Sequence, residues 1–166
     1  SLLLSPGIPM LLMGDEVGRS QGGNNNTWCQ NNFLGWMIWD SKKCDLALHQ
    51  FVKKLIIVRK ELPEVFNPTT LPTEANDSRQ RDLETLWIQW HGIKLNKPDW
   101  GHWSHTISYT LNKGTQGGAM WMGLNAYSQS MKFELPSPIS SWKRLLNTAC
   151  ESPNDLRTPI EEPNQK

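Results

Sequence analysis

The spacing of apolar residues changes several times along the chain. Residues 8–13 form a short, continuous apolar run between a Ser-Pro-Gly turn signal at residues 5–7 and Gly14. A run of this length without alternation is typical of a strand buried on both faces, as in a parallel sheet. The sequence therefore predicts a buried parallel strand at residues 8–13, with Asp15 and Glu16 at its carboxyl end.

The next two segments have different periods. Residues 17–40 show no sustained period and contain many Gly and Asn, which predicts a long loop of the kind that is usually functional. Across residues 44–62 apolar side chains recur at the three- and four-residue spacing of an amphipathic helix, which Pro63 should end. Residues 67–81 are polar and contain proline, so they predict a linker or an exposed loop.

Beyond the linker the period falls to two, which is typical of strands with one buried face. This pattern predicts an antiparallel β-sandwich, with further strands at residues 131–135 and 141–146. The tail at residues 151–166 is rich in Pro, Glu and Asn and is expected to be poorly ordered. The apolar positions of the three clearest strands are Leu86, Ile88 and Trp90; Ile107, Tyr109 and Leu111; and Met120, Met122 and Leu124.

The order of these elements predicts an α/β part followed by an all-β part. One parallel strand with one helix would leave both strand edges unpaired, so the first part requires further βα units outside this sequence. The chain also lacks an initiating methionine, and we therefore expect a fragment. The predicted division is residues 1–66 for the α/β part, 67–82 for the linker, 83–150 for the β-sandwich and 151–166 for the tail.

The composition of the chain excludes some classes of binding partner. The formal net charge is +1 with scattered charges, which provides no electrostatic footprint for nucleic acid or an anionic membrane. The apolar opening is too short to span a bilayer and lacks the basic flank of a signal peptide. The three cysteines are far apart and form neither a CxxC pair nor a disulfide framework, which favours the cytoplasm or the stroma of an organelle. A neutral partner is expected.

Candidate chemistry is concentrated in the polar segment at residues 14–30, directly after the apolar run. A buried polar group without a partner costs about 1–3 kcal/mol, so a core has no use for so many hydrogen-bonding side chains. A binding site for a polar, uncharged ligand does require such side chains. Nine tryptophans are the strongest departure in composition, and Trp28 lies inside this segment.

Five segments, in order, resemble the isoamylase-type debranching enzymes of the α-amylase superfamily, glycoside hydrolase family 13. The first covers the apolar run and the polar segment, and the resemblance extends from Ser1 to about Leu156. The segments read GIPMLLMGDEVGRSQGGNNNTWCQNN, LGWMIWD, LIIVRKELPEVF, HGIKLNKPDWGHWSHTISYTL and FELPSPISSWKRLLNTA.

This resemblance implies a (β/α)8 TIM barrel, of which residues 1–66 supply the eighth strand, its loop and its helix, followed by a C-terminal β-sandwich. The implied activity is cleavage of α-1,6 branch linkages in an α-glucan such as glycogen, starch or a maltooligosaccharide. Barrel active sites lie at the carboxyl ends of the strands, where the polar segment would form part of the glucan cleft. The implied substrate-binding residues are Asp15, Glu16, Arg19, Gln21, Asn24, Asn25, Asn26 and Trp28.

The residues that would break the bond are not expected in this chain. Retaining glycoside hydrolysis uses two carboxyl groups about 5–5.5 Å apart, and the family carries its catalytic carboxylates on earlier barrel strands. Asp15 and Glu16 are no substitute if they end a strand, because adjacent strand residues point to opposite faces. We therefore expect no catalytic residue, no metal, no cofactor and no activity from this chain alone. The family also has a tyrosine near Trp28 and often an aspartate near Asn31, and this chain departs from both.

Each candidate also has a purely structural interpretation. The charged side chains Asp15, Glu16 and Arg19 would suit an ion-pair network that fixes the strand end. Asparagines in a Gly-rich segment commonly cap turns, so residues 24–26 would suit turn formation. Trp28, Trp36 and Trp39 would suit packing of the loop against the barrel, and this interpretation is favoured for Trp36 and Trp39.

The remaining histidines and tryptophans are weaker candidates. His102 and His105 lack the further ligands that a zinc site requires. Structural or surface roles are expected for His49 and His91. Trp100 and Trp103 fit either a secondary glucan contact or packing between domains. Two other functions stay open, a non-catalytic glucan-binding or scaffolding module and an α-1,4-acting relative in the same superfamily.

Overall fold

Helices and strands occupy separate parts of the chain in the computed structural model, which describes residues 1–66, 73–74, 86–113, 118–137 and 142–157. Contacts divide the chain into two compact units, one of Ser1–Leu62 with Arg144–Lys166 and one of Pro63–Lys143. The helices are α1 (Leu46–Glu61) and the short α2 (Pro63–Phe66), and three 3-10 turns span Leu2–Leu4, Asp15–Val17 and Ser41–Lys43. The strands are β1 (Thr73–Glu74), β2 (Leu86–His91), β3 (Thr106–Lys113) and β4 (Gly118–Asn125).

Helix α1 confirms the amphipathic pattern of residues 44–62. The Asp45 carboxylate caps its first turn by accepting a hydrogen bond of 2.8 Å from the Leu48 amide. The helix ends one residue before Leu62, whose amide still donates to the carbonyl of Val58 at 3.1 Å. Pro63 then begins α2, at a position where its missing N–H costs nothing.

A buried arginine fastens residues 1–7 to α1. Arg59 is only 7% exposed, and its guanidinium donates to the carbonyl oxygens of Leu3 at 3.1 Å, Ser5 at 2.8 Å and Gly7. Burial lowers the pKa of Arg59 from its usual value because the surroundings disfavour the charged form. The three carbonyl dipoles offset part of that cost, as a buried charge requires. The spacing of apolar residues in the sequence gave no sign of this contact.

Residues 8–13 belong to no helix or strand, so the predicted buried strand is wrong for this chain. Their apolar side chains are exposed, by 98% for Ile8 and 87% for Met10. A strand is defined by hydrogen bonds to a neighbour, and the described residues place no strand beside this segment. The apolar run therefore lacks the partners that its pattern predicts.

The strands form one sheet in the order β1-β2-β3-β4. Strands β2, β3 and β4 are antiparallel, with Trp90 opposite Tyr109 and Tyr109 opposite Met122. Strand β1 pairs parallel to β2 and lies within the predicted linker, so that prediction is wrong at residues 73–74. The other linker residues lie outside the described part of the chain.

The period-two pattern is confirmed in β2, β3 and β4. Tyr109, Leu111 and Met122 are buried on one face of the sheet, where the Trp90 ring meets the Tyr109 ring edge-on at 5.4 Å. Burial also raises the pKa of the Tyr109 phenol, whose hydroxyl donates to the sulfur of Met122. These side chains form the apolar core of the second unit.

The predicted second sheet of a sandwich is not found among the described residues. Residues 131–135 form no strand, although the Glu134 amide donates to the carbonyl of Ile93 at 2.9 Å. At the last predicted strand, residues 141–146, Leu146 makes a single antiparallel bridge with Leu156, and residue 141 lies outside the described range. The described part of the chain thus supports one small sheet with a helix in a separate unit.

The opposite face of β3 buries polar side chains. Ser108, Thr110 and Asn112 are no more than 6% exposed. Ser108 donates from its hydroxyl to the carbonyl of Gly92 at 2.8 Å, and His91 lies 2.9 Å from the Thr110 hydroxyl through Nε2.

His91 is neutral in this arrangement. Its Nδ1 accepts a hydrogen bond of 2.9 Å from the Asn96 amide, which assigns the ring proton to Nε2 and makes Nε2 the donor to Thr110. Burial lowers the pKa of His91 from 6.5, and an interaction with the side chain of Asn96, distinct from its backbone amide, opposes this shift in part. The structural role predicted for His91 agrees with these contacts.

Part of the predicted disordered tail is ordered. Around the bridge of Leu146 and Leu156, the amide of residue 147 donates to the carbonyl of residue 155 at 2.7 Å, and that of residue 157 donates to the carbonyl of residue 145 at 2.8 Å. Leu156 is 1% exposed. A single buried leucine thus anchors residues 151–157, which composition alone did not reveal, and residues 158–166 lie outside the described range.

Candidate functional site

The polar segment begins at a glycine that no other residue replaces easily. Gly14 has φ +100°, and a Cβ added there would lie 2.6 Å from the Cδ of Arg19. Left-handed backbone and close approach both favour glycine. The amide of Arg19 donates to the carbonyl of Gly14 at 2.9 Å, which closes the turn. Gly14 therefore sets the direction in which the chain leaves the apolar run.

Asp15 and Glu16 lie in a 3-10 turn rather than at a strand end. The alternation of strand faces therefore does not apply to them. The Glu16 carboxylate accepts a hydrogen bond of 2.8 Å from the amide of Gly14, while Asp15 is exposed. Glu16 thus stabilises the turn, and Asp15 is the acidic side chain left to face solvent.

Arg19 holds two parts of the loop together. Its Nη2 donates to the carbonyl oxygens of Leu34 at 3.0 Å and Gly35 at 3.1 Å, and its Nε to that of Trp36 at 3.4 Å. These contacts join residues that are at least 15 positions apart. The predicted ion-pair network is not what engages this side chain, because its partners here are backbone carbonyls. Arg19 has a positioning role in the loop.

The asparagines divide between turn formation and exposure. Asn24 accepts a hydrogen bond of 3.0 Å from the amide of Asn26, and Asn26 accepts one of 3.0 Å from the amide of Trp28. These are the turns expected from the structural interpretation. Asn25 is exposed and Gln21 half-buried, and neither makes a side-chain hydrogen bond within the described part of the chain.

The side chain of Trp28 is 89% exposed. Trp36 is 56% exposed and its Nε1 donates to the Asn31 side chain at 2.9 Å, while Trp39 is 82% exposed. The described residues contain no barrel for Trp36 and Trp39 to pack against, so their predicted packing role stays a prediction. Indole surfaces of this size are suited to a partner that presents an apolar face.

Several side chains of the loop offer groups that suit ligand binding. The exposed side chains of Asp15, Asn25 and Trp28 and the half-buried Gln21 combine one carboxylate, two amides and an indole, which suits a neutral ligand rich in hydroxyls. Among the residues that the structure describes, no group of three or more His, Cys, Asp or Glu side chains could hold a metal ion. His102 and His105 instead pack edge-on against the rings of Trp103 and Tyr127.

Two further observations concern the whole described chain. None of its helices is both long and apolar enough to cross a membrane. The thiols of Cys29, Cys44 and Cys150 are free.

Residues 89–166 match the family described as "Isoamylase 1-3, C-terminal". The chain is 32% identical over 159 residues to "Isoamylase 1, chloroplastic" of Oryza sativa subsp. japonica, which covers 95% of this chain and 18% of that relative. It is 30% identical over 159 residues to "Isoamylase SU1, chloroplastic" of Zea mays, with the same coverage.

A bacterial relative gives the same result. The "Glycogen debranching enzyme" of Dickeya chrysanthemi is 36% identical over 155 residues, which is 89% of this chain and 22% of the relative. The chain thus spans about a fifth of the length of these relatives. Since plant and bacterial debranching enzymes match nearly all of it, and a family of isoamylase C-terminal domains matches its second half, the chain belongs to the isoamylase-type debranching enzymes, a family of glycoside hydrolases.

Proposed function

We propose that this chain is the C-terminal part of a debranching glycoside hydrolase that cleaves α-1,6 linkages in glycogen or starch-like α-glucans. In that full-length protein, where other barrel strands can pair with them, residues 8–13 form the eighth strand of a (β/α)8 barrel, and the polar loop after them is part of the wall of the glucan cleft. The catalytic carboxylates lie on other barrel strands, so the chain alone is inactive. The full protein works in the cytoplasm or in an organelle stroma.

The exposure of residues 8–13 is the observation that carries this proposal. Burying apolar surface contributes about 25 cal/mol per Å², so a continuous apolar run that stays exposed forgoes a large stabilisation. Five of its six residues are exposed, and the run leads into a loop that its own hydrogen bonds have already shaped. Relatives that are about five times longer have the additional chain to cover it.

Hydrogen exchange tests the barrel assignment. The amides of residues 8–13 should exchange rapidly in the 166-residue chain, because no strand pairs with them, while the amides of β3 should be protected. In the full-length protein the same segment should gain protection by a factor of at least about 100, as expected for a central barrel strand. Equal, fast exchange in both proteins would contradict the proposal.

Replacement of Trp28 tests the cleft assignment. In the full-length protein, Trp28→Ala should raise the dissociation constant for maltoheptaose about tenfold, because an exposed indole that stacks on a sugar ring contributes as an interface anchor does. Trp39→Ala is the matched control, since Trp39 is similarly exposed, 82% against 89% for Trp28, but lies outside the segment at residues 14–30. Equal effects of the two changes would assign Trp28 to general packing.

A further inference from the structure

Exposed aromatic side chains also lie at one end of the sheet, in the unit that does not contain the polar loop. The segment between β2 and β3 carries Trp100, 65% exposed, and Trp103, 63% exposed. The segment after β4 carries Tyr127, 43% exposed, whose hydroxyl donates to the carbonyl of Trp103 at 3.4 Å. We refer to these three side chains as the aromatic cluster.

The rings of the aromatic cluster are held in place by their neighbours. Trp100 meets Trp90 edge-on at 5.4 Å, and the His102 ring meets Trp103 at 4.6 Å. A Cβ added to Gly101 would lie 2.6 Å from Cε2 of Trp103, so the absence of a side chain at Gly101 lets the indole lie close to the backbone. Rings that are already oriented lose little conformational entropy when a ligand binds.

Hydrogen bonds also brace the backbone beneath the rings. The Asp99 carboxylate accepts from the Gly101 amide at 2.9 Å, and the Ser104 amide donates to the carbonyl of Gly101 at 2.9 Å. At the other end of the segment, the Asn96 amide donates to His91, which is itself buried. These hydrogen bonds therefore stabilise the backbone conformation that carries the rings.

An open cavity of about 220 Å³ lies beside Tyr127. Its volume is below the about 300–1,000 Å³ of pockets that enclose drug-sized ligands, which suits a single ring. The polar groups around it are two ammonium donors, one carboxylate and three hydroxyls, so no single charge dominates. The residues that supply them are Lys94, Lys97, Asp99, Ser104, Thr106 and Tyr127.

We propose that the aromatic cluster and this cavity form a second α-glucan-binding site, separate from the cleft loop. A glucose ring has an apolar C–H face and a rim of hydroxyls. The exposed indole of Trp103 matches the face, and the mixed donors and acceptors of the cavity match the rim. The choice of an α-glucan as the occupant rests on the proposed function, in which the same polymer is the substrate.

The site would hold a polymer chain rather than process it. No pair of carboxylates lines the cavity, since Asp99 is its only acidic side chain among the described residues. An enzyme that acts on a branched polymer has many glucose units within reach, so a second contact raises the effective concentration of the polymer near the cleft. The benefit is expected for long glucans and not for short ones.

Affinity electrophoresis of the full-length protein in gels that contain glycogen tests this site. Trp103→Ala should raise the apparent dissociation constant for glycogen about tenfold. Tyr127→Ala should have a smaller effect in the same direction, because that ring is less exposed. Leu135→Ala is the matched control, since it removes an exposed apolar side chain from the same unit, 49% exposed, at a position outside the cluster. Trp103→Phe, which keeps an aromatic face, should restore most of the retention.

The outcomes separate this proposal from the proposed function. Weaker retention of Trp103→Ala supports the second site, whether or not the wild-type protein hydrolyses branched glucan. Retention equal to that of Leu135→Ala overturns it, even if the wild-type protein proves to be a debranching enzyme. The proposal is also overturned if retention falls with added salt and is reduced by Lys94→Gln but not by Trp103→Ala. The ligand would then be bound through charge.

Discussion

Each unit of this chain contains side chains whose burial is the opposite of what their polarity predicts. In the first unit, apolar side chains such as Ile8, Met10 and Trp28 stand in solvent. In the second unit, the polar side chains of Ser108 and Thr110 are fully or almost fully buried. The difference shows that burial follows the available neighbours. A sheet face with partners for its hydroxyls buries them, while an apolar run without a neighbouring strand stays exposed.

The largest effect should come from the apolar core of the sheet. Leu111→Ala should lower the free energy of unfolding by about 3 kcal/mol, because it removes a fully buried side chain and leaves a cavity. Leu124→Ala is the matched control on β4, where the side chain is 40% exposed, and should cost less than about 1 kcal/mol. Urea unfolding followed by circular dichroism measures both, and equal losses would mean that this face is not the core.

Substitution of Arg59 tests the polar contact between α1 and residues 3–7. Arg59→Met keeps an unbranched apolar stem but leaves the carbonyls of Leu3 and Ser5 without their donor, which should cost about 2 kcal/mol. Lys60→Met, one position along the same helix and exposed, should change stability by less than about 0.5 kcal/mol. Hydrogen exchange across α1 reads out the difference, and a Lys60 effect as large as that of Arg59 would contradict the anchoring role.

His91 makes the buried polar face sensitive to pH. Its folded-state pKa is lowered by burial, so below pH 6.5 the unfolded chain binds the proton first and the folded state loses stability. The loss should reach up to about 1.4 kcal/mol per pH unit and be absent in His91→Gln. His49→Gln, at an exposed position, should keep the wild-type pH profile of urea unfolding. A profile that is the same in all three proteins would contradict a buried, neutral His91.

The smallest effect should come from the exposed apolar run. Ile8→Ser should change the stability of the 166-residue chain by less than about 0.5 kcal/mol, because the side chain is 98% exposed. Leu4→Ser is the matched control four residues away, where the side chain is 8% exposed, and should cost about 2 kcal/mol. In the full-length protein, Ile8→Ser should become as costly as Leu4→Ser if residues 8–13 are a barrel strand, and an unchanged cost there would argue against it.

Part of the candidate site could be predicted from the sequence. The segment after Met13 was identified by its density of Asn, Gln and Gly, and the asparagine turns followed from their known conformational preference. The contacts of Arg19 with residues 34–36 could not be predicted, because they join positions far apart through backbone carbonyls that carry no residue-specific signal. The same holds for Arg59 and the carbonyls of residues 3–7.

The sequence by itself determined helix α1 and the three antiparallel strands, because their periods of about 3.6 and 2 reflect local geometry that any buried face imposes. It also determined the family, through ordered segments spread over nearly the whole chain. Only the tertiary structure decided that Thr73 and Glu74 pair with β2, that Leu156 anchors the tail and that residues 8–13 remain exposed. Each of these depends on which distant segment lies alongside, and a local pattern contains no information about its neighbour.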